Sequence, residues 1–205
     1  KKIIKKNILK YLNNLFSSFK VKTPKNLPRM SSMYVGYFSY DIIRLIEKIP
    51  DSCKRDINIP DIRLMRPRNL IIYDNLKKKI FFIHNIFKEE KIKNYDLEYL
   101  EIKKNFDEFL DFGKIYLPRN FYNNKKKLLI SSNIKKAKFR KNILKAKKYI
   151  KKGDIFQVVL SQRFQAKIDK PAIEIYNSLR VLNPSPFMFL FNYKDFQILG
   201  SSPEI

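Results

Sequence analysis

The sequence predicts a mixed α+β chain, with mainly antiparallel sheet flanked by helices. Two observations lead there: apolar residues return at helical spacing in several long segments, and the short runs of Ile, Phe, Tyr and Val between them close on Asn and Asp turns. No fixed-period repeat runs through the 205 residues, so helices packed on locally paired strands are the simplest arrangement.

The elements follow in order. Ile8, Leu9, Leu12, Leu15, Phe16 and Phe19 form one apolar face and predict a helix over 5–19. A connector with Pro24 and Pro28 leads to a strand over 33–38. Ile42, Ile43, Ile46 and Ile49 then predict a second helix, closed by Pro50. Residues 51–68 are polar, carry Pro60 and Pro67, and read as a loop. The runs 69–73 and 80–87 around Asp74-Asn75-Leu76-Lys77 predict an antiparallel hairpin. His84 shares a strand face with Ile80, Phe82 and Ile86, and reads as a half-buried strand histidine rather than a catalytic one. A helix over 95–112 follows from Tyr99, Ile102, Phe106, Phe109 and Leu110, with Gly113 at its C-terminal end.

Residues 114–133 read as a surface connection between two lobes, dividing the chain into 1–133 and 134–205. Phe139, Ile143, Ala146 and Ile150 predict a helix over 135–152, stopped by Gly153. A strand is expected over 154–164. Pro171 opens a helix at its first turn, whose buried side is Ile175, Tyr176, Leu179 and Leu182. Two strands, 187–191 and 196–199, bracket the turn Asn192-Tyr193-Lys194-Asp195.

Composition narrows the function classes. The net charge is +25, from 44 Lys plus Arg against 19 Asp plus Glu, a balance that first suggests nucleic acid or an anionic membrane. Of the basic residues, 34 are lysine, and Lys, Ile, Asn, Phe and Tyr together make 109 of the 205 residues, with only four Gly and four Ala. All five abundant types have AT-rich codons, so the charge follows from an AT-biased genome. Ten of the eighteen residues in 135–152 are Lys or Arg. No aromatic is interleaved on that basic face as single-strand binding would want, and it reads as a solvated lysine face. A nucleic-acid-binding module built on this helix is the alternative from another class.

The single Cys53 excludes an internal disulfide framework, and Cys53 with His84 cannot make a four-ligand zinc site. No apolar run is long enough to span a membrane, and the first residues form neither signal peptide nor anchor, so a cytoplasmic protein without membrane or nucleic-acid partners is expected. The chain starts at Lys1 rather than Met and stops at Ile205 just after a strand, and is expected to be an internal piece of a longer protein. There is no Gly-rich phosphate loop, no nucleophile elbow and no Ser-His or Cys-His constellation.

Four strings carry a resemblance: YVGYFSYDIIRLIEKIP at 34–50, DIRLMRPRNLIIYDNL at 61–76, AKKYIKKGDIFQVVLSQR at 146–163, and LRVLNPSPFMFLF with LGSSPE between 179 and 204. In order and spacing they resemble the anthranilate synthase component I family of chorismate-utilising enzymes. The resemblance implies an incomplete chorismate-binding-enzyme fold, with 1–133 as part of the family's N-terminal region and 134–205 as the start of its catalytic domain. It further implies a lyase of tryptophan biosynthesis that adds ammonia to chorismate and eliminates pyruvate. A glutamine amidotransferase subunit supplies the ammonia, and L-tryptophan inhibits by feedback. Mg²⁺ is the implied cofactor, its ligands expected in the half of the family's length beyond Ile205; no metal ligand is expected within 1–205, and the 205 residues alone are expected to be inactive.

Two segments carry implied site residues. Gln157 stands where water-adding relatives place a lysine base. A glutamine cannot take a proton but can orient a nucleophile by hydrogen bonding, so Gln157 is the expected catalytic, nucleophile-orienting residue and favours ammonia. A strand glutamine paired to neighbouring backbone is the other reading. In NPSPFMF the resemblance implies tryptophan contacts from Pro186, Phe187 and Met188, with Asn183 and Ser185 in the same segment, and with Phe187 where the family usually has Tyr. Prolines that fix an extended backbone, and Phe and Met beside an indole, suit that ligand. Glu204, after Pro203, reads as structural. Aminodeoxychorismate synthase component I, which aminates chorismate without losing pyruvate, is the nearest alternative, and a truncated gene product is a further one.

Overall fold

The computed structural model describes residues 3–4, 6–19, 21–53, 55–87, 90, 94–112 and 128–202. It divides the chain into two compact units, Lys1–Leu117 and Pro118–Ile205. Among the described residues all four ladders are antiparallel two-stranded pairs, and four α-helices accompany them, as an α+β chain with mainly antiparallel pairing should have.

In the first unit, helix α1 spans Ile8–Ser18. The aromatic rings at its end meet Tyr34, with centroids 6.1 Å away for Phe16 and 4.9 Å for Phe19. A 3₁₀ turn, Arg29–Ser31, precedes strand β1, Val35–Phe38. Strand β2, Ile62–Met65, lies inside the stretch read as a loop and pairs with β1, Gly36 facing Leu64. The prolines that suggested a loop flank this strand instead of interrupting it, and the Pro60 carbonyl accepts from the Tyr37 hydroxyl at 2.7 Å. Gly36 has a reason of its own: a Cβ there would stand 1.9 Å from the Arg63 carbonyl oxygen, a backbone atom that cannot move aside cheaply.

The helix expected over 42–49 is a short 3₁₀ segment, Tyr40–Leu45. Arg44 explains the shortening. Its guanidinium bonds Asp41 at 2.9 Å and donates to the carbonyls of Ile49 at 3.3 Å and Pro50 at 2.7 Å, so the chain folds back over Arg44 and leaves Ile46 70% exposed. The Asp41 hydrogen bond above all, with the charge of Asp51 adding, holds the Arg44 guanidinium above its ordinary range.

The hairpin forms where the sequence placed it, as β3 (Asn69–Asp74) and β4 (Lys79–His84) in a six-pair register. Asp74 accepts from the N–H groups of Leu76 and Lys77, both at 3.0 Å, and Lys78 takes the left-handed conformation at φ 52° that closes the turn. Helix α2, Tyr95–Phe112, starts at an Asn94 side chain that accepts from Asp96 N–H at 2.9 Å and Leu97 N–H at 3.2 Å. Phe106 then packs on Phe82, ring centroids 4.9 Å apart. Ile83 is buried, at 8% exposure. Gly113 lies outside the described residues.

In the second unit, strand β5, Ile130–Ser132, pairs with β6, Phe164–Ala166. The connection expected over 114–133 therefore ends in a strand; its residues 114–127 lie outside the described ones. Helix α3, Lys136–Lys152, stops at Gly153, where φ is 77°. Gly153 and Asp154 N–H bond the carbonyls of Ile150 and Tyr149 at 3.0 and 3.1 Å, closing the helix end. The strand expected over 154–164 does not form: 154–163 carries no ladder. A run of β-formers becomes a strand only where another backbone lies beside it, and among the described residues only β5 does so, from Phe164 onward. Helix α4, Ala172–Leu182, packs on the hairpin of β7 (Phe187–Asn192) and β8 (Gln197–Ser202). There the Phe189 ring covers its cross-strand partner Gly200, so a Cβ at that glycine would come within 2.5 Å of the ring.

Candidate functional site

Two segments of the second unit hold the residues singled out by sequence. Gln157 lies four residues beyond the α3 C-terminal cap, on the stretch without a ladder. It is exposed and makes no hydrogen bond to any described residue, so the alternative of a strand glutamine paired to neighbouring backbone is not what the chain adopts. Its neighbours are as open, with Phe156 95% and Val159 81% exposed. A free carboxamide offers one acceptor and two donors, enough to orient a nucleophile but not to deprotonate it.

Asn183, Ser185, Pro186, Phe187 and Met188 are brought together as the continuous link from α4 into β7. Asn183 ends the helix, its N–H bonding Leu179 O at 2.8 Å. Its own carbonyl accepts from the Ser201 hydroxyl at 2.6 Å, and the Phe187 carbonyl accepts from the Ser185 hydroxyl at 3.0 Å. Two carbonyls of the segment are therefore occupied. Those of Pro184, Ser185 and Pro186 meet no donor among the described residues, so the open acceptors lie in the middle of the link. Phe187 is 48% exposed at the start of β7, and Met188 is half-buried opposite Ser201. The second proline and the β7–β8 ladder fix this backbone from both sides. Gly200 to Ser202 of the GSSPE string form the partner strand, and Glu204 lies outside the described residues.

A concavity that the sequence did not announce, about 420 Å³ in volume, lies between the β5–β6 pair and the start of α3. Ile134, Phe139 and Phe164 line it, with Ser132, Lys136, Arg140 and Gln162 as its polar members. Of these, Phe139 was legible as part of a helix face and Gln162 lies within a resemblance string, but nothing in the sequence brings them together.

Among the described residues no group of three or more His, Cys, Asp or Glu could hold a metal ion. These residues do not fit the implied Mg²⁺. His84 is part of the first unit's packing. Its Nδ1 lies 2.6 Å from Asn69 Oδ1 and its Nε2 3.5 Å from Glu98 of α2. No helix of the described residues is long and apolar enough to cross a membrane.

Comparison with known proteins gives this geometry a context. The family described as chorismate binding enzyme matches residues 1–205. Anthranilate synthase component 1 of Acetivibrio thermocellus is 38% identical over 203 residues, covering 97% of this chain and 41% of that protein. The protein of the same name from Bacillus subtilis is 35% identical over 209 residues, covering 97% and 40%. The crystal structure of anthranilate synthase component I from Streptococcus pneumoniae TIGR4 superposes with a TM-score of 0.77 at 28% identity, over 99% of this chain and 45% of that one. The chain thus spans about two fifths of the length of the curated relatives it matches.

Proposed function

The chain belongs to the chorismate binding enzyme family, and from that premise we propose that the complete protein converts chorismate and ammonia to anthranilate and pyruvate. The atoms balance when ammonia adds to the ring, the ring hydroxyl leaves as water and the enolpyruvyl group is eliminated as pyruvate. The observation that carries this reading is the match along 97% of the chain to proteins named anthranilate synthase component 1. A glutamine amidotransferase subunit supplies the ammonia, L-tryptophan inhibits by feedback, and the reaction runs in the cytoplasm.

Gln157 orients the attacking ammonia. Replacing it by lysine supplies a base that can activate water, so Gln157→Lys in the complete protein should lower anthranilate formation at least about tenfold and raise hydroxylated chorismate isomers. Chromatography of the products reads both, and an unchanged product ratio would remove the role. The middle of the 183–188 link receives the ammonium group of tryptophan, with Phe187 and Met188 against the indole. Met188→Ala should weaken tryptophan binding in calorimetry about tenfold, on the order of one buried apolar side chain. Equal affinities would show that the link is only a turn.

A further inference from the structure

We propose that Arg66 is the centre of a carboxylate-binding site in the first unit. The residue sits in the three-residue link between β2 and β3. Its guanidinium carbon lies 4.3 Å from the centroid of the Phe87 ring and 5.1 Å from that of Phe19. Stacking on aromatic rings occupies the faces of the guanidinium plane and leaves its N–H edge for other partners. That edge has none: among the described residues no oxygen accepts from Arg66, and its Nε is buried without a hydrogen-bond partner.

Glu90, three residues past Phe87, does not accept from Arg66: its carboxylate is taken twice, by the guanidinium of Arg68 and by the Phe87 N–H at 3.1 Å. Arg68 and Arg66 are two residues apart, so one cation is neutralised while the other is presented. The backbone that presents it is fixed. Asn85 donates its side-chain amide to the carbonyls of Pro67 at 3.2 Å and Ser31 at 3.0 Å, and its N–H bonds Arg68 O at 2.7 Å. A buried donor left unmade is costly, and a cation on two rings with its fork edge free matches a carboxylate bidentately. The occupant is a carboxylate, either of a free small molecule or of an acidic side chain of the polypeptide.

The test uses the complete protein with ¹⁵N-labelled arginine, sodium benzoate as the probe, and the Arg66 Nε–H and Nη signals as the readout. A saturable benzoate shift at Arg66, weakened about 10- to 100-fold in Arg66→Gln and partly kept in Arg66→Lys, assigns the site to a free carboxylate. No benzoate shift, with Arg66 Nη signals already split by locked rotation, assigns it to a side-chain carboxylate. Freely rotating Nη groups with no benzoate shift overturn the proposal, as does benzoate binding that Arg66→Gln leaves unchanged. If Arg66→Gln does not fold, Arg66→Lys and the wild-type signals decide.

Discussion

The β3–β4 hairpin and residues 154–163 are both runs of strand-forming residues, and they have opposite fates. In the hairpin, each strand finds its partner across a four-residue turn that Asp74 holds with two hydrogen bonds. Helix α2 then covers one face through Phe106. In 154–163 Ile155, Phe156, Val158 and Val159 are strand formers too, yet Phe156 and Val159 stand in the open and no ladder forms. Propensity describes what fits a pleated, half-buried surface, and the surface has to be supplied. The contrast also separates two kinds of information. GDIFQVVLSQR is among the most telling strings for family membership and the least organised locally, whereas the hairpin is organised by its own residues.

Three substitutions in the 205-residue chain test how far the two regions differ. The largest effect is expected at a strand pair with no slack. Gly36→Ala drives a Cβ into the Arg63 carbonyl and should cost about 3 kcal/mol or more, enough to lose the β1–β2 protection in hydrogen exchange. Persistence of that protection would show the two strands can separate without penalty. Next, Ile83→Ala removes a side chain that is 8% exposed and should cost about 2 to 3 kcal/mol in urea unfolding. The smallest effect belongs to Val159→Ala, which at 81% exposure should stay within about 0.5 kcal/mol. A loss at Val159 equal to that at Ile83 would mean that 154–163 is packed, and the contrast would fail.

What the sequence made legible follows the same division. Helices α1 to α4 and both tight hairpins were readable because their signals lie within one element or one turn: Asp74 for β3–β4, Pro171 and Gly153 for helix ends. Strand β2 was not, because its partner β1 precedes it by more than twenty residues and Pro60 and Pro67 mask its edges. The short helix after Ser39 was misread for a related reason: isoleucines at helical spacing cannot show that Arg44 will reach round to the carbonyls of Ile49 and Pro50. Gly36 and Gly200 were visible only as letters in family strings, and the atoms that require them, Arg63 O and the Phe189 ring, belong to the opposite strand. At the candidate site, Gln157 and Asn183 to Met188 were found through resemblance alone, since an exposed carboxamide and a Pro-rich link carry no chemical signature of their own. Arg66 was likewise only a letter in a family string, because its meaning depends on which acid Arg68 has taken.

The most direct measurement of the reaction supplies the complete protein with chorismate, ammonia and Mg²⁺, and follows pyruvate by its reduction with lactate dehydrogenase while anthranilate is read by fluorescence. Pyruvate and anthranilate should appear one for one. An aminated chorismate that accumulates with no pyruvate released would contradict the account and place the protein with the aminodeoxychorismate synthases instead.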